Sequence, residues 1–278
     1  MRQRRGTVVN RAIAWVTAFA LVVPIVVAIL MSLTTSDSLE FPPSAYGPRW
    51  YQQVLADPMW HDRLGTSIQT GILAATLATV IGTLSAYGVS RAPGRVGVLV
   101  SALMIAPLAV PVVVLGTGNY FVWAEGWNVG PLHVGGKLVG SLVGLVLAHT
   151  VIALPYPFVT VRASLAGFDP TFERAAMGLG ASPVTVFRTI TLPLIAPGVL
   201  SGAVFAFIAS WDEVVIASFL STARLTTIPV QIYNKLREAL DPSAAVISTL
   251  LLLMSLLLLG ALGLIRRRTP RAAAEAGR

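Results

Sequence analysis

The sequence predicts an all-α, polytopic membrane protein with six transmembrane helices. Three observations carry that prediction. Hydrophobic residues make up 55% of the 278 and charged residues only 12%, a balance far too apolar for a soluble globule. Mean hydropathy is +0.76. Six apolar runs recur, each suited at about 1.5 Å per residue to crossing a hydrocarbon core roughly 30 Å thick. The formal charge of +8 would suggest nucleic acid in a soluble chain; here the placement of the charges matters more, and no nucleic-acid partner is expected. With no cysteine, disulfides, thiol chemistry and cysteine metal sites are excluded.

Taken in order, Arg2, Arg4, Arg5 and Arg11 precede an apolar run over 12–31. It exceeds the apolar core of a signal peptide and ends without a convincing small-x-small cleavage site, so it reads as an uncleaved first helix. Residues 34–65 are polar and turn-rich, with Trp50, Tyr51 and Trp60 suited to an interfacial belt. The second span, 66–90, carries Gly71, Ala75, Ala78, Gly82 and Ala86 at helical spacing, a face that another helix can approach closely. After the basic turn at 91–95, the third span covers 96–116, where Pro107 and Pro111 each predict a kink. A glycine-rich loop over 119–137 follows. The fourth span, 138–161, holds His149 and the Pro155-Tyr156-Pro157 break; the fifth and sixth cover 198–220 and 244–265.

An even number of spans puts both termini on one side. Fourteen of the 20 basic residues fall in the segments on that side, so the positive-inside rule assigns both ends, and the loop after the fourth span, to the cytoplasm.

That loop, DPTFERAAMGLGASPVTVFRTITLP over 169–193, has two helix starts. Asp169 caps the first, with Pro170 at its first position and Glu173 near the positive end of the dipole. Ser182 and Pro183 repeat the signal, and Gly178 and Gly180 are natural stops between them. Two short helices meeting at a corner are expected, the second placing Val184, Phe187, Ile190 and Thr191 on one face before Pro193 ends it. Such a pair needs a surface to bury its apolar faces, either a partner or the membrane domain itself.

Ala175-Ala176, Gly180 and Ile190-x-Leu192-Pro193 resemble the EAA loop of the permease subunits of bacterial ABC importers. The family's usual Glu falls at Arg174, with Glu173 one place earlier. The resemblance implies the type I importer permease fold in the bacterial inner membrane. It also implies a coupling loop over 164–196 that docks on a cytosolic ATPase dimer through Phe172, Glu173, Arg174, Ala175, Ala176, Gly180, Phe187, Leu192 and Pro193. The division it suggests is an N-terminal segment 1–65, a permease core 66–265 and a basic tail 266–278.

Chemistry of the chain's own is sparse. There is no GxxxxGK[ST] phosphate loop, so ATP would be bound by another subunit and no cofactor is expected. His61, His133 and His149 lie in separate segments without metal-ligand spacing, and no GxSxG elbow occurs, so neither a metal site nor an enzyme is expected. His149 in an apolar span is either functional or a neutral cross-helix hydrogen-bonding group. Trp211-Asp212-Glu213 puts two carboxylates in the outer half of the fifth span, about 100° apart on a helix. They either form a negative vestibule for a cationic solute or pair with Arg224, Lys235 or Arg237 to fix an outer gate.

Trp211-Asp212-Glu213, Phe219-Leu220-Ser221, the Thr-Thr-Ile-Pro ending at Pro229, and Asp241-Pro242 resemble permeases of the spermidine/putrescine type. This implies half of an ATP-driven pathway for a polyamine or related cation. It further implies a second permease, usually a different chain, and a periplasmic or lipid-anchored solute-binding protein. Trp211, Asp212, Glu213 and His149 are the candidate pathway residues. The alternatives are another organic solute, an ion-coupled secondary transporter using the same buried groups, or a membrane scaffold without transport.

Overall fold

The computed structural model describes residues 2–268 except 93, 130–131, 135 and 239–240. The end of the basic tail, with Arg271 and Arg278, therefore lies outside the described residues. Among the described residues, five helical runs are long and apolar enough to cross a membrane: 13–32, 58–91, 142–166, 183–211 and 242–264. A sixth is a helix pair bent by 107°.

Contacts divide the chain into two units, 1–62 with 231–254, and 63–230 with 255–278. In the first, α1 (Arg2–Ser32) is followed by a turn-rich segment and α2 (Arg49–Ala56). Polar side chains close this segment: Ser32 Oγ and Tyr51 Oη lie 2.8 Å apart, and Trp50 Nε1 donates to the Ser36 carbonyl at 2.9 Å. Within the same unit Lys235 pairs with Asp241 at 3.2 Å. Burial pushes the Asp241 carboxyl up. Hydrogen bonds from Ser243 and Lys235 outweigh it and hold the group below its ordinary value.

The second unit carries the core. α3 (Pro58–Arg91) uses the predicted small-residue face: Ala75, Ala78 and Ala86 are buried. A Cβ at Gly71 would come within 2.8 Å of Phe207, and one at Gly82 within 2.9 Å of Pro157. α6 (Leu142–Ala153) and α7 (Pro155–Ala166) run on from one another, and α7 packs along α10 (Leu192–Trp211). That approach is close because Gly202 and Gly198 face it. A Cβ on Gly202 would sit 2.4 Å from Pro157 Cα, and one on Gly198 2.1 Å from Ser164 Oγ. Phe158, Val161, Leu165, Ile195 and Ala86 fill the space between these helices.

Three elements differ from expectation. The third span is two helices, α4 (Arg95–Ala109) and α5 (Val112–Ala124), because the break falls at Val110-Pro111 while Pro107 stays inside α4. Pro111 is the N-cap of α5, where no intrahelical N–H bond is lost to its ring. The loop after α5 contains a hairpin, β1 (Trp127–Val129) with β2 (Leu132–Val134), paired antiparallel. Thirdly, Pro193 does not end the coupling segment. α9 (Pro183–Val186) passes through a π-helical turn, Phe187–Thr191, straight into α10. In that turn the Leu192 N–H reaches the Phe187 carbonyl, so the wider turn accommodates a proline at the start of α10 without breaking the helix.

Candidate functional site

At the corner over 169–193, Ser182 caps the second helix as expected, whereas the first helix has Pro170 at its N-cap and Asp169 one residue before it. α8 (Thr171–Gly178) begins after Asp169, whose Oδ1 accepts from the Thr171 N–H at 2.9 Å. That bond, with the Thr171 hydroxyl, holds the Asp169 carboxyl below its usual value. Ser182 Oγ accepts from the Thr185 N–H at 3.3 Å to start α9. Gly180 turns the corner at φ +90°.

The side chains of this corner divide between two directions. Glu173 is buried, accepting from Arg91 Nε at 3.0 Å and from the Thr191 hydroxyl. Arg91 also lies over the Tyr87 ring at 4.7 Å, and Tyr87 stacks at a tilt on Phe187, centroids 4.8 Å apart. Glu173 and Phe187, both expected on a docking face, thus tie the corner to the end of α3. Arg174, at the family's Glu position, is exposed, as are Ala175 and Pro193; Ala176 and Leu192 are half-buried. The apolar surface left open is Phe172, Met177, Leu179 and Val184, with Leu179 91% exposed.

At the other end of the same helical run, the expected continuous span stops. α10 ends at Trp211, and α11 (Val215–Leu220) starts after a break. No glycine or proline causes it. Glu213 Oε1 accepts from the Ile216 N–H and Oε2 from the Ala217 N–H, both at 2.7 Å. One carboxylate thereby satisfies two of the donors that a helix start leaves open. Asp212 and Glu213 therefore do not share a helical surface. Glu213 is buried, whereas Asp212 is exposed with no hydrogen bond or ion pair to its carboxylate among the described residues. Of the alternative pairings with Arg224, Lys235 or Arg237, the one with Arg224 does not form among the described residues. Arg224 instead offers its carbonyl to Arg63 Nη1 at 3.1 Å.

His149, from α6, is buried beside Glu213. Its Nδ1 is 2.7 Å from Ser210 Oγ, and its Nε2 is 3.8 Å from Glu213 Oε2. This is the cross-helix hydrogen-bonding arrangement. Trp211 is buried and stacked on Phe207 at 5.5 Å. Among the described residues no group of His, Asp and Glu could hold a metal ion.

Asp212 lines a cleft of 660 Å³ that two helix breaks share, the α4–α5 bend at Val110 and the α10–α11 break at Glu213 to Val214. Tyr156 and Phe205 supply aromatic walls. Sequence reasoning passed over both. The one signal was the Pro155-Tyr156-Pro157 run, read as a break and not as the wall of a cleft.

Comparison with known proteins agrees with this architecture. The putrescine transport system permease protein PotI of Escherichia coli (strain K12) is 33% identical over 224 residues, covering 80% of this chain and 75% of that protein. The spermidine/putrescine transport system permease protein PotC of Haemophilus influenzae is 29% identical over 262 residues, 93% and 96% of the two chains. A crystal structure of a bacterial ABC transporter involved in the import of the acidic polysaccharide alginate shares the fold, with a TM-score of 0.71 at 14% identity, over 96% of this chain and 97% of that one. Residues 78–271 match the family described as binding-protein-dependent transport system inner membrane component, and the chain belongs to that family.

Proposed function

We propose that this chain forms half of the transmembrane pathway of an ATP-driven importer for a polyamine or a related organic cation. The observation that carries the solute class is the Asp212 carboxylate, unpaired and facing a cleft walled by Tyr156 and Phe205. A carboxylate takes an ammonium group, and aromatic faces favour cations and the methylenes between them. The names of PotI and PotC support the same class. Glu213, His149 and Trp211 act around it as positioning groups: Glu213 fixes the break, His149 bonds Ser210 and lies beside Glu213, and Trp211 anchors the end of α10 on Phe207.

The chain binds no ATP of its own; a cytosolic ATPase dimer does so. Phe172, Met177, Leu179 and Val184 form the apolar patch that docks it, flanked by Arg174. Exposed apolar side chains clustered on a polar loop are a common mark of a protein interface. A second permease, usually a different chain, completes the pathway, and a solute-binding protein delivers the cargo from outside. Both termini face the cytoplasm under the positive-inside rule.

The test is reconstitution of the chain with its ATPase, second permease and solute-binding protein into liposomes. ATP-dependent accumulation of labelled putrescine or spermidine is expected, with Asp212→Asn weakening it. Accumulation of a neutral or anionic solute in preference, unaffected by Asp212→Asn, would overturn the solute class. Uptake that ignores ATP but collapses with an uncoupler would overturn the importer mechanism.

A further inference from the structure

At the coupling-corner end of α3, α4 and α7, two clefts adjoin and share Val89, Ala92 and Gly97. The first, 390 Å³, is lined by Arg162 and Ser101. The second, 470 Å³, is apolar, with Leu84, Gly88, Val96 and Val100 along it. Arg162 is the unusual member. It sits in the last turns of the run 142–166, over the Phe158 ring at 5.7 Å, and donates to Ser101 Oγ at 3.2 Å. Among the described residues no carboxylate pairs with it. The nearby Arg95 is exposed. Glu173 is engaged by Arg91.

We propose that this paired cleft binds an anionic phospholipid. Its phosphate meets the Arg162 guanidinium, which Ser101 Oγ holds in place as an acceptor while giving its own proton to the Gly97 carbonyl at 2.7 Å, and one acyl chain lies in the groove along Leu84, Gly88 and Val96. The arrangement matches the molecule part by part: a guanidinium with donors to spare near the end of a membrane-spanning run, beside an apolar groove lined by Leu84, Val96 and Val100. A guanidinium presents several donors to phosphate oxygens, and a basic pocket between helices at the interface is the geometry in which anionic head groups are held. The proposal rests on the chain spanning a membrane and not on which solute it carries.

The assembled importer, reconstituted in phosphatidylcholine nanodiscs, would carry a trace of phosphatidylglycerol or phosphatidylcholine bearing a diazirine in one acyl chain. After irradiation, labelled peptides are mapped by mass spectrometry. Labelling of 84–100 is expected to favour the phosphatidylglycerol probe about fivefold, the worth of one basic residue at an anionic head group. Arg162→Gln should reduce it to the phosphatidylcholine level, and Arg162→Lys should restore most of it. Gly88→Leu should block labelling by either probe, since Gly88 lines the groove and a Cβ there meets nothing within 4 Å. Equal labelling by the two probes, or labelling unchanged in Arg162→Gln, would overturn the site. So would a photo-crosslinker at Val96 that captures the second permease instead of lipid.

Discussion

Arg91 and Glu173 form one ion pair with unequal halves, so their removal should have unequal effects. The Glu173 side chain is 5% exposed and that of Arg91 34%. Arg91→Ala leaves the carboxylate in the interior with the Thr191 hydroxyl as its remaining partner, and stranding a buried charge in this way costs about 3–5 kcal/mol. Glu173→Ala leaves a guanidinium that reaches water and still lies over Tyr87. Its cost is the lost acceptor for Thr191 and a half-exposed ion pair, about 1–2 kcal/mol. The difference, about 2–3 kcal/mol, corresponds to a gap of several degrees in melting temperature for a chain of this size, on the order of 5 °C. Thermal unfolding of the purified complex reads the stability, and copurification of the ATPase reads the seating of the corner. Arg91→Met with Glu173→Gln should recover part of what Arg91→Met alone loses, because no charge is then stranded. Were Glu173→Ala to lower the melting temperature as far as Arg91→Ala, the asymmetry argument would be refuted, and with it the claim that burial of the carboxylate controls this joint.

Gly180→Val should weaken ATPase copurification while the chain still inserts. The corner has open space for a side chain but a φ of +90°, which a β-branched residue adopts only at about 1–2 kcal/mol or more; Gly180→Asn should be milder, and equal copurification by both would count against the corner. Gly202→Val should destabilise the α7–α10 contact by about 1–3 kcal/mol, since a Cβ there meets Pro157 Cα at 2.4 Å; an unchanged melting curve would mean the two helices separate at no cost. Asp212→Asn should raise the half-saturating concentration for a polycation without changing stability. Glu213→Gln should lower stability instead, by about 2 kcal/mol, because its amide turns one acceptor into a donor facing a backbone N–H. A reversal of those two phenotypes would reassign the acids. Asp241 is held below its ordinary value, so its contribution is fully present above the unfolded value of 3.8 and lost as pH falls through the lower folded one. Asp241→Asn should therefore lower the melting temperature slightly, by about 1 kcal/mol or less, and equally at every pH from 5 to 8.

The parts legible in the sequence were those fixed by local chemistry. Asp169, Ser182 and Gly180 mark the corner because caps and a left-handed turn depend on a few neighbouring atoms. The small face of α3 was legible because period and residue size suffice to describe it. What stayed hidden depends on atoms distant in sequence or on a competition between close energies. The burial of Glu173 requires Arg91, 82 residues away. The break after Trp211 has no helix breaker in the sequence; it exists because the Glu213 carboxylate satisfies the first donors of α11. Pro107 and Pro111 were equally plausible kinks, and geometry chose Pro111. The rule that proline ends helices makes Pro193 a stop, but the rule concerns a helix interior, whereas Pro193 sits in the first turn of α10 directly after a π turn in which the Leu192 N–H bonds the Phe187 carbonyl.

That last difference bears on how the two sites are joined. Because the helix continues through the π turn, the coupling corner and the cleft lie at the ends of one run, Pro183 to Trp211, roughly 40 Å long. A helix is stiff along its axis and weakest where its hydrogen-bond ladder is irregular. In this run the irregular turn is at the corner end, and it is pinned by the Thr191 hydroxyl on Glu173 and by Phe187 on Tyr87. A push on Phe172, Leu179 or Val184 would therefore reach α10 through the π turn and α3 through Arg91, instead of being absorbed at a flexible loop. The far end of α10 is the break that Glu213 holds, with Asp212 presented to the cleft. Loosening the π turn should then uncouple the ends without unfolding either. Thr191→Val removes its bond to Glu173 while keeping its shape, so ATP hydrolysis by the assembled importer is expected to continue while solute moved per ATP falls. A fall in both together would mean that the turn merely stabilises the corner.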